Sequence, residues 1–265
     1  MLDRLIAWFK ENCKDGAIIA LSGGVDSALV AYAAKQALAD KALAVTADYK
    51  TLAREELEHA KRVAREIGIR HKIIEYDELL NNEFVKNDQY RCYYCRDELA
   101  KHLLDIARAE GYSLIVDGTN LDDINDYRLG LVALRKHGIR SPLLELGINK
   151  QKVRELARIA DISIYDKPSN ACLASRIARG IRITYDRLSR IEQAEVIVKS
   201  LTNAKQVRVR DHDGLARIEV ARDERHLLFD INILDELDSR LKALGFRYVT
   251  IDAMGYKQGS MNIIP

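Results

Sequence analysis

Ala17-Ile18-Ile19-Ala20-Leu21-Ser22-Gly23-Gly24-Val25-Asp26-Ser27 is the stretch on which the fold turns. Its apolar first half reads as a buried strand, and the Ala-rich run from Asp26 to Ala39 reads as the helix that follows. Ser22-Gly23-Gly24-Val25-Asp26-Ser27 is then the turn between them. Its glycines open backbone conformations closed to other residues and let a ligand come close. Successive N–H groups on such a turn make a concave anion site, and the helix N-terminus adds its positive end. Ser22 and Ser27 bring hydroxyl donors for phosphate. Asp26 repels a bare phosphate, so its expected role is to meet Mg²⁺ or to cap the helix. The plain alternative is a capped Gly-rich turn that binds nothing. It accounts for two glycines better than for the whole hexapeptide.

Outward from this turn, strand-like and helix-like segments alternate. Leu5 to Lys14 reads as an opening helix, Ala42 to Thr46 as a second strand and Ala53 to Ile67 as a charged amphipathic helix. Lys72 to Tyr76 reads as a third strand, Arg96 to Glu110 as a helix, Leu114 to Asp117 as a fourth strand and Asp122 to Lys136 as another helix. This alternation predicts an α/β fold with a parallel sheet and helices on both faces. Such sheets bind ligands beyond the carboxyl ends of their strands. The character changes at Lys167-Pro168-Ser169-Asn170, which reads as an ordered loop. Beyond it come a helix (Tyr185 to Leu201), a hairpin (Val207 to Val220), a helix (Asn232 to Gly245) and a strand (Tyr248 to Ile251). The expectation is therefore a nucleotide domain over 1–170 and a smaller α+β domain over 171–265, for substrate or for assembly.

The chain has 265 residues, enough for one full domain and a smaller one. Its 42 Lys and Arg nearly balance 40 Asp and Glu, so bulk charge gives no reason to expect wholesale nucleic-acid binding. The longest apolar runs, such as Ala17 to Leu21, fall far short of the roughly 20 residues a spanning helix needs. Met1-Leu2-Asp3-Arg4 lacks the pattern of a signal peptide. The expected location is cytoplasmic, where the four cysteines favour metal or redox chemistry over structural disulfides.

Asp117-Gly118-Thr119-Asn120 ends the fourth strand on the same sheet edge as the Gly-rich turn, followed by Asp122, Asp123, Asp126, Tyr127 and Arg128. These acids cap a helix or hold Mg²⁺, and Arg128 is a candidate for a phosphate. Arg91-Cys92-Tyr93-Tyr94-Cys95-Arg96 is a C-x-x-C at a turn opening a helix, flanked by arginines that favour thiolates. A redox disulfide is one reading of it. A structural zinc site would need further ligands that the sequence does not offer. With Cys172 the pair becomes three thiolates, a set that suits a [4Fe-4S] cluster with one iron left open. Cys13 reads as a small buried residue.

These motifs together resemble the LarE-type sulfur transferases, within the ATP-pyrophosphatase superfamily whose phosphate loop is the Ser22–Ser27 pattern. The resemblance rests on that loop, Arg91-Cys92-Tyr93-Tyr94-Cys95, Gly118-Thr119-Asn120 to Asp126-Tyr127-Arg128, Cys172-Leu173-Ala174-Ser175-Arg176 and Gly255-Tyr256-Lys257-Gln258-Gly259-Ser260-Met261-Asn262. It implies that Ser22, Gly23, Gly24, Val25, Asp26, Ser27, Gly118, Thr119 and Asn120 bind ATP with Mg²⁺, with Asp123 and Asp126 as further candidates for the metal. It implies adenylation of a pyridinium biscarboxylate mononucleotide and formation of a thiocarboxylate for the nickel-pincer cofactor. Cys92, Cys95 and Cys172 then hold a [4Fe-4S] cluster. In the variant without a cluster, Cys172 gives up its own sulfur and becomes dehydroalanine. The resemblance also implies a homo-oligomer.

Val207 to Val220 alternates with period two on both sides of Asp213-Gly214, a strong type I′ hairpin signal. Arg208, Arg210, Arg217 and Glu219 then share one face, with Arg210 opposite Arg217. Opposed arginines repel. An anion between them turns that cost into recognition, and the implied substrate carries a phosphate and two carboxylates. A solvated outer face is the plain alternative. Arg176 and Glu195 are candidate catalytic partners of Cys172 and Asp26. Two rivals to the sulfur transferase are a tRNA thiolase of the same superfamily and a nucleotide-binding regulator without turnover.

Overall fold

Alternate residues of the first strand face opposite layers, and this sets the architecture of a computed structural model that describes residues 1–125, 129–257 and 261. The chain forms two compact units, Met1–Glu78 with Cys92–Asn170, and Leu79–Arg91 with Ala171–Pro265.

In the first unit α1 (Leu2–Asn12) leads into β1 (Ala17–Ala20), α2 (Val25–Leu38), β2 (Ala42–Asp48), α3 (Arg54–Ile67) and β3 (Arg70–Glu75). After α4 (Asn82–Val85), which belongs to the second unit, come α5 (Arg91–Glu110), β4 (Leu114–Val116), α6 (Leu129–Lys136), α7 (Pro142–Glu145) and α8 (Lys150–Ile159). The sheet has the order β3-β2-β1-β4 and all its pairs are parallel. Ala17 and Ile19 of β1 pack with α1, α2, α3 and α8, while Ile18 packs with Leu99, Leu103 and Leu134 of α5 and α6. This is the predicted helix-on-both-faces arrangement.

Three differences from expectation bear on the site. The helix expected over Asp122 to Lys136 is a 3₁₀ turn at Leu121–Asn125 and a separate α6. Asn120 Oδ1 accepts from the Asp122 N–H at 2.9 Å and Asp123 Oδ2 from the Asn120 N–H at 3.1 Å, side-chain bonds that compete with the helical ladder. Helix α5 starts at Arg91, so the C-x-x-C lies inside its first turn. No element was expected between Lys136 and Lys167, yet α7 and α8 form there. Asn149 Oδ1 caps α8 through the Lys152 N–H at 2.9 Å, and Val153, Leu156 and Ala157 bury one stripe.

The second unit holds α9 (Tyr185–Thr202), β5 (Val207–His212), β6 (Leu215–Val220), α10 (Ile231–Ala243) and β7 (Tyr248–Ile251). Strands β5 and β6 pair antiparallel with Arg210 opposite Arg217, and β7 pairs parallel to β6. Asp213 and Gly214 both take positive φ, 54° and 92°, as the hairpin turn requires. Segment 79–91 is bound here through Asn87, fully buried at φ 57°. Its amide donates to the carbonyls of Ala178 and Ile181, both at 2.9 Å, and of Ile177 at 3.3 Å.

Gly23 has φ 77°, and a Cβ there would lie 2.4 Å from the carbonyl oxygen of Glu56. Gly23→Ala should therefore cost about 1–3 kcal/mol in urea unfolding and weaken ATP binding as well. Gly68→Ala, also at positive φ but in open space, should lower stability without changing ATP affinity.

Candidate functional site

The nucleotide loop is tied by one hydroxyl. Ser27 Oγ donates to the Gly24 carbonyl at 3.1 Å and accepts from the Ser22 N–H at 3.1 Å, with Ser22 Oγ also at 3.1 Å. Gly24 caps α2, so the first N–H groups of that helix have no intrahelical acceptor and open the concave side of the loop. A Cβ on Gly118 would lie 2.6 Å from Ser27 N, so the turn after β4 packs directly on the loop. Within that turn Asp117 accepts from the Thr119 hydroxyl at 2.5 Å, the Thr119 N–H at 3.2 Å and the Ser141 hydroxyl at 2.6 Å. Asn120 Nδ2 donates to Asp26 Oδ1 at 3.0 Å. The expected ATP-binding residues of the loop and turn thus lie together on one sheet edge.

Several site residues had no signal in the sequence. Lys150 Nζ forms an ion pair with the other oxygen of Asp26, and the Lys150 N–H donates to Asp122 Oδ2 at 2.9 Å. Lys167 Nζ donates to the Gly23 carbonyl at 3.1 Å and pairs with Glu56 at 2.6 Å, while Asn170 donates to the same carboxylate at 2.8 Å. Glu56 is 5% exposed. Two ammonium groups are therefore held against the loop by carboxylates. Nothing in residue spacing separates them from the rest of the chain's 42 basic side chains. The one available cue was Asn149, the cap that places Lys150 at the start of α8.

Cys92 is exposed and Cys95 half-buried, and the two stand one helical turn apart on α5 with no disulfide. Arg96 lies within electrostatic reach of both and of Asp117. Among the described residues, no group of three or more His, Cys, Asp or Glu is gathered as for a metal ion. Asp123 has its Oδ2 on the Asn120 N–H, as above. Asp126 and Arg128 lie outside the described residues, as do Tyr127, Gln258, Gly259, Ser260 and Asn262.

The second unit carries a separate, buried cluster. Arg176 is fully buried and donates from Nε and Nη2 to Glu195 at 2.8 and 3.2 Å. It also donates to the carbonyl of Ala171, to that of Cys172 at 3.0 Å and to Ser175 Oγ at 3.2 Å. Glu195 further accepts from the Val209 N–H at 3.1 Å, which ties α9 to β5. The arginine face of the hairpin is buried, not solvated: Arg208 and Arg210 are each 5% exposed. Its anion is in part built in. Arg210 donates to Glu219 Oε2 at 2.7 and 3.0 Å and Arg217 to Oε1 at 2.9 Å, so a carboxylate of the chain relieves the repulsion expected between them. Arg217 also faces Asp252 at 3.5 Å. Burial, and then Arg176 beside it, press the Arg208 guanidinium down to about 10, and it lies 5.3 Å over the Tyr256 ring. The guanidiniums of Arg176, Arg208, Arg210 and Arg217 thus lie among the carboxylates of Glu195, Glu219 and Asp252. Cys172, half-buried and free, starts the turn that Arg176 holds.

The NAD synthase family matches residues 2–212 of this chain. An uncharacterized protein of Synechocystis sp. is 41% identical over 98% of this chain and 96% of its own length. The pyridinium-3,5-bisthiocarboxylic acid mononucleotide synthase of Lactiplantibacillus plantarum is 35% identical over 92% of this chain and 88% of its own. An ammonia-dependent NAD⁺ synthetase of Pyrococcus furiosus is 48% identical over 28% of each chain. Among the described residues, no helix is long and apolar enough to cross a membrane.

The Glu56–Lys167 pair gives a stability test. Lys167→Met leaves a buried carboxylate without its cation and should cost about 3 kcal/mol or more. Adding Glu56→Gln should recover part of that loss. Urea unfolding of both single variants and the double variant measures the coupling, and strict additivity would show that the pair is not coupled.

Proposed function

The chain belongs to the NAD synthase family and is LarE-like along nearly its whole length, and on that premise we propose that it is an ATP-dependent sulfur transferase of nickel-pincer nucleotide synthesis. It adenylates a carboxylate of a pyridinium-3,5-biscarboxylate mononucleotide and converts it to a thiocarboxylate. The observation that carries the reading is the reach of the likeness. The matches to NAD⁺ synthetases span 28% to 62% of the chain, whereas that to the bisthiocarboxylate synthase spans 92%. In this reading residues 1–170 work on ATP and residues 171–265 on the second substrate.

In the first step a substrate carboxylate oxygen attacks the α-phosphorus of ATP. The bond to the β-phosphate oxygen breaks and pyrophosphate leaves with the electron pair. Ser22 and Ser27, with the free N–H groups of the loop, hold the departing phosphates. Lys150 exchanges Asp26 for phosphate oxygen as that charge arrives. Mg²⁺, if bound by Asp26 with Asp123 or Asp126, neutralises phosphate charge. The carboxylate oxygens fit that role when phosphates supply its remaining ligands.

In the second step a sulfur nucleophile attacks the acyl carbon, a C–S bond forms, and the C–O bond to AMP breaks. Arg208, Arg210 and Arg217, with Arg128, bind the substrate's phosphate and carboxylates. Arg176 and Glu195 position Cys172. Cys92 and Cys95 stand one turn apart, and in this reading they and Cys172 would hold a three-thiolate [4Fe-4S] cluster. Such a cluster supplies an iron able to carry sulfide. The second reading needs no cluster and rests on Cys172 alone. Cys172 then gives its own sulfur: its thiol takes the acyl group from AMP, its Cα proton leaves, and the Cβ–S bond breaks to leave dehydroalanine.

Asp26→Asn should abolish ATP-dependent pyrophosphate release with the fold intact by circular dichroism. An unchanged rate would remove Asp26 from the mechanism. Arg210→Ala should weaken binding of the mononucleotide at least tenfold, about what losing one charged contact costs, and ATP binding less. Iron and acid-labile sulfide in protein prepared without oxygen should approach four each per chain and vanish with Cys92→Ser if the cluster is the carrier. A Cys172 peptide lighter by one hydrogen sulfide after a single turnover would instead establish the sacrificial route.

A further inference from the structure

Arg91 is a buried cation of the second unit that meets no carboxylate among the described residues. It is 6% exposed. Its Nη1 donates to Asn87 Oδ1 at 2.5 Å and to the Ala174 carbonyl at 3.0 Å, both neutral acceptors. Its Nε is buried and has no acceptor among the described residues. The nearest acid in sequence, Asp88, turns its Oδ1 to the Tyr90 N–H at 2.7 Å and its carbonyl to Arg179. Three guanidiniums hold the turn that begins at Cys172: Arg176 through Ala171 and Cys172, Arg210 through the Ser175 carbonyl at 3.2 Å, and Arg91 through Ala174. Arg176 has Glu195 and Arg210 has Glu219, while Arg91 forms no ion pair with a described residue.

A buried charge with no partner is costly, and so is a buried donor with no acceptor. Both costs end if an anion meets Nε. The sequence suggested that Arg91 serves the neighbouring Cys92. Its guanidinium instead points to the backbone of the Cys172 turn. Building on the sulfur-transfer reading above, we propose that Arg91 is the anion-binding residue of a sulfide site beside Cys172, taking hydrosulfide through its Nε–H. Hydrosulfide suits the place: it is small, carries one charge, and has the oxidation level of the sulfur that enters the thiocarboxylate.

The test uses the full chain and two alkylating agents of nearly equal size. Iodoacetate is an anion and iodoacetamide is neutral, and the rate of each at Cys172 is read by peptide mass spectrometry. In the native chain, thiocyanate added at constant ionic strength should slow iodoacetate several-fold and leave iodoacetamide unchanged. Arg91→Met should lower the iodoacetate-to-iodoacetamide ratio about tenfold, the scale of one hydrogen bond to a charged group. Arg91→Lys should keep most of the ratio. Hydrosulfide binding by calorimetry should be present in the native chain and lost in Arg91→Met. Equal action of thiocyanate on both reagents overturns the site, and this arm needs no variant that must fold. An unchanged ratio in Arg91→Met overturns it as well, and so does native protein that binds no hydrosulfide. Labelling requires no catalysis, so it fails independently of the sulfur-transferase reading, which stands or falls on thiocarboxylate formation.

Discussion

Close backbone approach at two glycines governs the first unit. Gly23 sits where a Cβ would strike the Glu56 carbonyl and Gly118 where one would strike Ser27 N. These contacts bring the start of α3 and the turn after β4 onto the loop between β1 and α2. No longer side chain could make the approach, and the polar groups of the site depend on it. Asn120 reaches Asp26 because Gly118 lets its turn lie flat on Ser27. Lys167 reaches the Gly23 carbonyl because Glu56, next to that crossing, holds its ammonium. The carboxylates in this unit act as holders of cations as much as candidate ligands for a metal. That arrangement suits a loop whose ligand arrives with several negative charges, since each lysine can exchange an acid for phosphate oxygen without moving far.

The second unit solves a different problem, that of burying guanidinium groups. Burial of a cation is tolerated when its N–H groups are met and its charge is balanced. Glu195 does this for Arg176 and at the same time joins α9 to β5 through the Val209 N–H. Glu219 does it for Arg210 and Arg217 across the hairpin. Arg208 donates to the Val207 carbonyl at 2.6 Å and lies over the Tyr256 ring, and burial with Arg176 beside it depresses its basicity.

The sequence carried the parallel sheet and the loop because both are written locally. An apolar strand, a Gly-rich turn and an Ala-rich helix follow one another within Ala17 to Leu38. The hairpin was legible to the residue, because alternation and Asp213-Gly214 fix its register. The sequence did not carry bonds between distant residues. Lys150 meets Asp26 across 124 positions and Lys167 meets Glu56 across 111, and an isolated Lys or Glu looks the same whether it is solvated or paired. Segment 79–91 was assigned by position in the chain. Asn87, the residue that binds it to 177–181, is a single polar side chain whose left-handed backbone and three carbonyl partners leave no periodic trace.

The Cys172 turn shows why such distant bonds matter for chemistry. Arg91, Arg176 and Arg210 grip it by the carbonyls of Ala171, Cys172, Ala174 and Ser175, and Ser175 Oγ is its one side-chain acceptor for Arg176. These hydrogen bonds that hold the turn therefore run to its main chain and to Ser175, not to the side chain at 172. On the proposed reading, a thiol there reacts while these bonds keep the backbone in place. A turn held through its side chains would change shape at the moment of reaction. Holding it by main-chain oxygen requires donors that are rigid, forked and always charged, and arginine is the residue that supplies them. On the proposed reading, the buried guanidinium of the second unit, and the carboxylates that balance it, serve to fix a reactive residue through its main chain.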